Sequence, residues 1–362
     1  MPTARVLVVD DSVVIRRLIT QALESEADIE VVGTASNGKL ALAKLDSLRP
    51  DVVTLDIEMP EMDGLATLPL LRATHPRLPG NMFSTLTERG AAATLEALSL
   101  GATDYVTKPS NTCSIEIALA RIRDDLVPKI RALVPHLGPA RSTLRAPAAV
   151  VLPRTHASPT PRVQAVVIGV STGGPSALAE LIPHLPADLG VPVLVCQHMP
   201  PVFTRLLAER LDIKSGLTVK EAADGDQVKA GGVWIAPGGV HMIVRRTPGS
   251  TPVIALTNDP PENSCRPAVD PLMRSAVAAY GSGVLAIILT GMGQDGLHGC
   301  EAVAGAGGRI LVQDEQTSVV WGMPGYVAKA GLADRALPLD DLAIEITRRV
   351  AGTALAATRS ER

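Results

Sequence analysis

Asp10-Asp11, Asp56 and Lys108 each close a short stretch rich in apolar residues: Val6-Leu7-Val8-Val9, residues 51–55 and Tyr105-Val106-Thr107. Acids and a lysine placed so would stand beyond the carboxyl ends of buried strands, where open parallel sheets gather their function. Three carboxylates converging there repel one another unless a hard cation joins them. Mg2+, which takes oxygen ligands and keeps several waters, suits that site. Ser84 follows a candidate strand at Met82-Phe83. Its hydroxyl and the Lys108 ammonium are thus placed to hold phosphoryl oxygens while Asp56 attacks phosphorus. Any one of these acids alone reads as a turn residue; the five groups together predict a phosphoryl site.

A second chemistry is written at Gly169-Val170-Ser171-Thr172-Gly173, which satisfies G-x-S-x-G where the strand predicted over 165–170 meets a helix. That setting lifts the hydroxyl above the sheet edge and puts it at a helix N-terminus. Taken alone, the motif serves a nucleophilic serine or a glycine-rich phosphate cradle equally well. A nucleophilic serine needs a base, and the base an orienting carboxylate. His198 follows a predicted strand over 191–196, and Asp295 follows one over 284–290 by the turn Gly291-Met292-Gly293-Gln294. Ser171, His198 and Asp295 are therefore expected at one rim of one sheet. His241 and His298 are the rival bases; His184 sits in a helical pattern, and His75, His136 and His156 lie outside this block. The chain order Ser…His…Asp differs from that of α/β-hydrolases, which predicts a triad on another fold.

The elements that must position these groups are legible as alternating patterns. Before residue 121, Ile15, Leu18, Ile19, Ala22 and Leu23 form one apolar helical face behind Ser12, a suitable N-cap. After residue 162, helices are predicted over 176–185, 202–211 and 269–280, with Pro175 at a helix start where its missing N–H costs nothing. Shorter patterns between 217 and 257, punctuated by Gly231-Gly232 and Pro237-Gly238-Gly239, predict hairpins. Strands parted by helices imply α/β architecture with parallel sheets and right-handed crossovers. From Arg121 to Arg162 the chain holds seven prolines and eight Lys+Arg against two acids. Residues 122–134 could extend a helix, but no periodic pattern survives over 135–161, which reads as a tether. The expected division is a first domain at 1–122, a linker at 123–162 and a second domain at 163–350.

Composition narrows the classes. Lys+Arg number 34 against 37 Asp+Glu over 362 residues, which offers no broad cationic surface for a nucleic-acid backbone. Aromatics are 2%, so cores must be aliphatic and stacking platforms for bases are not expected. No apolar run approaches the roughly 20 residues of a membrane helix, and the N-terminus does not read as a signal peptide. Cys113, Cys196, Cys265 and Cys300 are scattered, which fits reduced thiols and a cytoplasmic protein.

The first block resembles the receiver domain of bacterial two-component response regulators. The matching pieces are Val8-Val9-Asp10-Asp11-Ser12, Leu55-Asp56-Ile57-Glu58-Met59-Pro60 with Met62-Asp63-Gly64, and Val106-Thr107-Lys108-Pro109. The resemblance implies a flavodoxin-like fold with Asp56 as phosphoacceptor and Mg2+ held by Asp10, Asp11, Asp56 and the Glu58 carbonyl. It further implies Ser84 and Tyr105 as switch residues and Lys108 as the phosphate contact. Two departures are Gly80-Asn81, where apolar residues are expected to open the fourth strand, and Pro69, inside the helix after Gly64.

The second block resembles the catalytic domain of chemotaxis methylesterases. It does so at 168–175, Gln197-His198-Met199-Pro200, 234–238, Pro260-Pro261-Glu262-Asn263, Arg266-Pro267-Ala268-Val269-Asp270, 290–296 and Gly322-Met323-Pro324. This implies a Rossmann-like α/β domain with an added antiparallel hairpin region. The implied activity is hydrolysis of γ-glutamyl methyl esters on chemoreceptors and deamidation of selected receptor glutamines, with no cofactor for the hydrolysis. Backbone N–H groups of Thr172 and Met292 would hold the oxyanion. The partners implied are methyl-accepting chemoreceptors as substrate and a histidine kinase as phosphodonor, without nucleic acid or membrane insertion. Phosphorylation of Asp56 is expected to relieve restraint of the esterase. The alternatives are a receiver-controlled serine hydrolase acting on another substrate, and a receiver driving a DNA-binding output, against which the second block's length and lack of a basic stripe speak.

Overall fold

The computed structural model describes residues 3–108, 114–134 and 162–360. The chain divides into two units, Met1–Arg145 and Ala146–Arg362. No helix among the described residues is long and apolar enough to cross a membrane.

In the first unit, strands β1 (Ala4–Val9), β2 (Ile29–Ala35), β3 (Val52–Asp56), β4 (Gly80–Ser84) and β5 (Asp104–Thr107) alternate with helices. These are α1 (Val13–Glu24), α2 (Gly38–Leu48), α3 (Gly64–Thr74), α4 (Glu88–Ser99) and α5 (Ile115–Leu133). The sheet is parallel in the order β2-β1-β3-β4-β5. The strand order reverses between β1 and β3, which opens a crevice at their carboxyl ends. Val6, Val8, Val52, Phe83 and Val106 pack against Ile19 and Leu23 of α1 and Ile122, Leu126 and Ile130 of α5. Ser12 caps α1 by accepting the Ile15 N–H, and Asp63 caps α3 by accepting that of Ala66. Helix α3 continues through Pro69, and β4 opens on Gly80-Asn81 despite their low strand propensity. Pro69 lies on the exposed face of α3, whereas Gly80 and Asn81 are buried within the sheet.

The first unit runs past the expected boundary at 122. Leu126, Val127, Ile130 and Val134 are buried in its core, because apolar residues at 122, 126 and 130 recur at helical spacing. Residues 123–134, which the sequence allowed to extend a helix, thus belong to the first unit rather than to the expected linker. The rest of the expected linker, 135–161, lies outside the described residues.

The second unit is built from β6 (Ala165–Val170), α6 (Gly174–Leu181), β7 (Val193–Gln197), α7 (Phe203–Lys214), β8 (Thr218–Glu221), β9 (Gly232–Ile235), β10 (His241–Arg245) and β11 (Val253–Thr257). There follow α8 (Val269–Tyr280), β12 (Val284–Ile288), α9 (Leu297–Gly305), β13 (Arg309–Gln313), α10 (Met323–Lys329), β14 (Arg335–Leu337) and α11 (Leu339–Ser360). Seven strands form one parallel sheet in the order β14-β13-β12-β6-β7-β9-β8, and β10 pairs with β11 in a separate antiparallel ribbon. The hairpins expected over 217–257 are therefore only half present. β8 and β9 run parallel, because the ten residues between them carry the chain back to the starting end before β9 pairs with β7. Every residue of β6, β7 and β12 is buried, which is why these strands read as unbroken apolar runs.

Candidate active site

β6 lies between β12 and β7, so the residues leaving these three strands share one edge. Ser171 follows β6 directly and its N–H donates to Thr290 O at 3.0 Å, beyond β12. His198 follows β7 and its N–H donates to Val170 O at 3.2 Å. The sheet ladder thus continues one step past the strand ends and fixes both backbones. Gly173, at φ 77°, turns the chain into α6, a conformation that glycine adopts without steric cost. A side chain at Gly174 would strike Gln197, whose amide donates to Ser171 O at 3.0 Å. The close approach of the α6 entry to β7 therefore seats the serine.

His198 Nε2 donates to Asp295 Oδ2 at 2.7 Å. Its other nitrogen, Nδ1, lies 3.5 Å from the Cys265 sulfur. Burial disfavours the charged ring, but the Asp295 carboxylate and the Cys265 sulfur favour it more, and the His198 pKa is pushed up to about 10. Burial likewise opposes charge on Asp295, yet His198 and the amides of Val269 and Asp270 hold its pKa below the usual carboxylate range. Among the described residues the Ser171 hydroxyl makes no hydrogen bond, so no direct bond joins it to the His198–Asp295 pair at the same sheet edge. The rival bases are engaged elsewhere. Buried His241 spans Pro260 O and the Ala268 N–H, and exposed His298 pairs with Glu301 at 2.9 Å. The N–H groups of Thr172 and Met292 donate to no group among the described residues. Gly291 brings its backbone against Ser171, where an added Cβ would lie 2.8 Å from that of the serine.

Four residues around this edge carried no assigned role in the sequence reading: Gln197, Asn263, Cys265 and Asp270. All but Cys265 stand in the motifs singled out above. A polar residue that closes a strand or opens a helix beside those motifs was the available signal.

In the first unit the carboxylates of Asp10, Asp11 and Asp56 bring oxygens within 4.8 Å of one another. Lys108 Nζ lies 2.7 Å from Asp56 Oδ1 and 3.0 Å from Asp10 Oδ2. Burial raises the Asp56 pKa to about 6, with Lys108 opposing and Asp10 adding to the rise. Asp11, Asp56, Glu58, Ser84 and Lys108 line one cavity of about 260 Å³. This all-oxygen donor set, rich in charge, fits a hard divalent cation. The Ser84 hydroxyl is turned inward, donating to Gly90 O at 3.1 Å and accepting from Thr94 Oγ1 at 2.6 Å, and the Tyr105 ring is buried.

Comparisons with known proteins agree with both halves. Residues 166–346 match the model of the CheB methylesterase family, and residues 6–120 that of the response regulator receiver domain. A protein-glutamate methylesterase/protein-glutamine glutaminase of Trichodesmium erythraeum is 51% identical over 97% of this chain and 100% of its own length. One from a Nocardioides strain is 54% identical over 97% of this chain and 96% of its own length. The crystal structure of the Thermotoga maritima CheB methylesterase catalytic domain covers 52% of this chain and 99% of its own, with 44% identity and a TM-score of 0.51. On these grounds the chain belongs to the CheB methylesterase family, with a response regulator receiver domain preceding the catalytic domain.

Proposed function

We propose that this protein hydrolyses γ-glutamyl methyl esters on chemoreceptors, and deamidates selected receptor glutamines, under control of phosphorylation at Asp56. The observation that carries the reading is the 2.7 Å His198–Asp295 pair on the same sheet edge as Ser171. Because Nε2 donates to Asp295, Nδ1 is the nitrogen left to act as base. In this reading it accepts the Ser171 proton as the hydroxyl oxygen attacks the ester carbonyl. Asp295 stabilises the imidazolium that forms. The N–H groups of Thr172 and Met292 hold the oxyanion, each donor being worth about 3 kcal/mol of barrier. The imidazolium then protonates the leaving methoxide, releasing methanol, or ammonia from an amide. The same ring next takes a proton from water, which attacks the glutamyl-serine ester and returns free glutamate and serine.

At the receiver, Asp56 attacks the phosphoryl group presented by a histidine kinase. Asp10, Asp11, Asp56 and the Glu58 carbonyl would hold Mg2+, which supplies neutralisation of charge on the phosphoryl oxygens when bound. Lys108 contacts the phosphoryl group. The added charge of about −1.5 to −2 favours a second arrangement of Ser84 and Tyr105.

Methanol release from methylated receptor tests the reading. Wild-type protein should release methanol, faster after treatment with a small phosphodonor and Mg2+, and Ser171→Ala should release none while keeping its fold. Release at near-wild-type rate by Ser171→Ala would remove the serine from the mechanism. Hydrolysis of simple esters without action on receptor would favour another substrate.

A further inference from the structure

We propose that Asp270 and Asn263 are positioning residues for Asp295, acting through a crossed pair of helix caps that locks the catalytic carboxylate in place. The proposal rests on the serine-hydrolase reading above. Helices α8 and α9 both begin without a side-chain cap of their own, at Ala268 and Gly296. Each open end is instead closed by an acid belonging to the other helix's entry. Asp295, which immediately precedes Gly296, accepts the first N–H groups of α8, from Val269 at 2.7 Å and Asp270 at 3.2 Å. Asp270, in the first turn of α8, accepts the Gly299 N–H of α9 at 2.6 Å. Each carboxylate thus sits at the positive end of a helix dipole that the other's chain segment supplies.

Asn263 completes the arrangement. Its side-chain NH2 donates to Asp270 Oδ2 and to Asp295 Oδ1, both at 2.9 Å. One neutral group thereby spans two buried carboxylates that would otherwise repel across the gap. Asn263 itself sits at φ 52°, a left-handed conformation that asparagine tolerates better than most residues. The tight turn that holds it is closed by paired backbone hydrogen bonds between Glu262 and Cys265. Arg274 of α8 pins that turn through two 2.7 Å hydrogen bonds to Glu262.

The count of donors shows why this bears on catalysis. Oδ1 of Asp295 accepts from Asn263, Asp270 and Gly296, and Oδ2 accepts from Val269 and His198. Four of the five donors come from the α8–α9 caps, their loops and Asn263, so the plane of the carboxylate is set before His198 joins it. The titratable and charged groups around the pair are Asp270, His198, Cys265, His241 and the Glu262–Arg274 pair. Burial raises the pKa of Asp270, whereas His198 and the cap amides hold that of Asp295 below the usual carboxylate range.

The test uses full-length protein and an active-site fluorophosphonate, whose rate of capture by Ser171 reports serine activation whatever the natural substrate. Asn263→Ala and Asp270→Asn should each slow Ser171 labelling by about 10- to 100-fold, the loss expected when hydrogen bonds to a buried charge are removed. Asn263→Asp removes no volume and adds a carboxyl beside two carboxylates, so its own pKa is raised. While protonated it still donates one bond, and once ionised it repels both neighbours. Its labelling rate relative to wild type should therefore fall about tenfold or more between pH 6 and pH 8. Equal labelling of wild type and all three variants across that range, with unchanged circular dichroism, would overturn the proposal. If Asp270→Asn fails to fold, the pH-dependent ratio of Asn263→Asp decides alone: a flat ratio overturns the proposal. Failure of wild-type Ser171 to label at all would instead overturn the hydrolase reading.

Discussion

Replacing Asp295 by asparagine disturbs both things this carboxylate does, and stability and pH profile read the two losses apart. Both of its oxygens act only as acceptors, two donors meeting Oδ2 and three meeting Oδ1. An amide oxygen can serve one side alone. If it faces the three donors, the new NH2 meets the Val269 N–H and His198 Nε2, formerly at 2.7 Å each. The Val269 N–H then has no acceptor, which costs about 1–3 kcal/mol. At about 2–4 °C per kcal/mol for a domain of this size, the melting temperature falls by several degrees. The ring must also turn its lone pair toward the amide and put its proton on Nδ1, the nitrogen needed by the serine. Loss of the correct tautomer costs about 10⁴-fold in kcat. The pH profile moves separately. A base must be unprotonated, so the acid limb of ester hydrolysis follows the His198 pKa, held at about 10 against burial by Asp295 together with the Cys265 sulfur. Without that charge the limb shifts to lower pH even as the plateau drops. Stopped methanol release or chromogenic ester hydrolysis across pH 5–10 measures both. A variant within tenfold of wild type, or one with an unmoved limb, refutes the assignment of Asp295 as orienting carboxylate.

Further outcomes follow from the same geometry. Wild-type esterase activity should rise with pH from neutral toward about 10. The folded-state pKa of His198 lies above its unfolded value, so its stabilisation is full below about 6.5 and is lost as pH climbs toward 10, which thermal melts will show. At Asp56, raised to about 6, the attacking carboxylate is depleted below that pH, so phosphorylation by a small phosphodonor should slow there, and Asp56→Asn should abolish the stimulation of esterase activity. Mg2+ should raise the melting temperature of the receiver, and Asp10→Asn should remove most of that gain, because three clustered carboxylates favour the cation. Gly174→Ala should cut activity by more than tenfold, since its Cβ would lie 1.9 Å from Gln197 Oε1, the side chain that seats Ser171, whereas His298→Ala should leave activity within about twofold.

What the sequence showed and what it hid divide along a physical line. Strand-end residues were legible because a buried parallel strand is an apolar run, and a polar residue that ends it must stand at the sheet edge. Asp10, Asp56, Ser171 and His198 all follow that rule. Helix α8 was legible to the residue, since its apolar face and the proline after Asp270 mark it. Residues 123–134 were harder: their spacing allowed a helix, but Pro128 and the basic residues placed them with the expected linker, whereas burial of Leu126 and Ile130 joins them to the first unit. β8 and β9 were misjudged as hairpin strands because turn glycines mark a reversal without stating whether the next strand pairs with its predecessor's direction or against it.

The crossed caps explain why the rest of the catalytic edge could not be read locally. A cap is normally visible as a serine, threonine, aspartate or asparagine just before an apolar periodic run. At Ala268 and Gly296 that signal is missing, and by local rules both helices start badly. The acids that close them are 25 to 29 residues away in the chain, so the compensation exists only after β12 has placed α9 beside α8. A weak local start next to a candidate catalytic acid is therefore informative in itself. It says that the acid carries two tasks, holding the fold's helix end and holding the histidine, and that neither can be removed without disturbing the other.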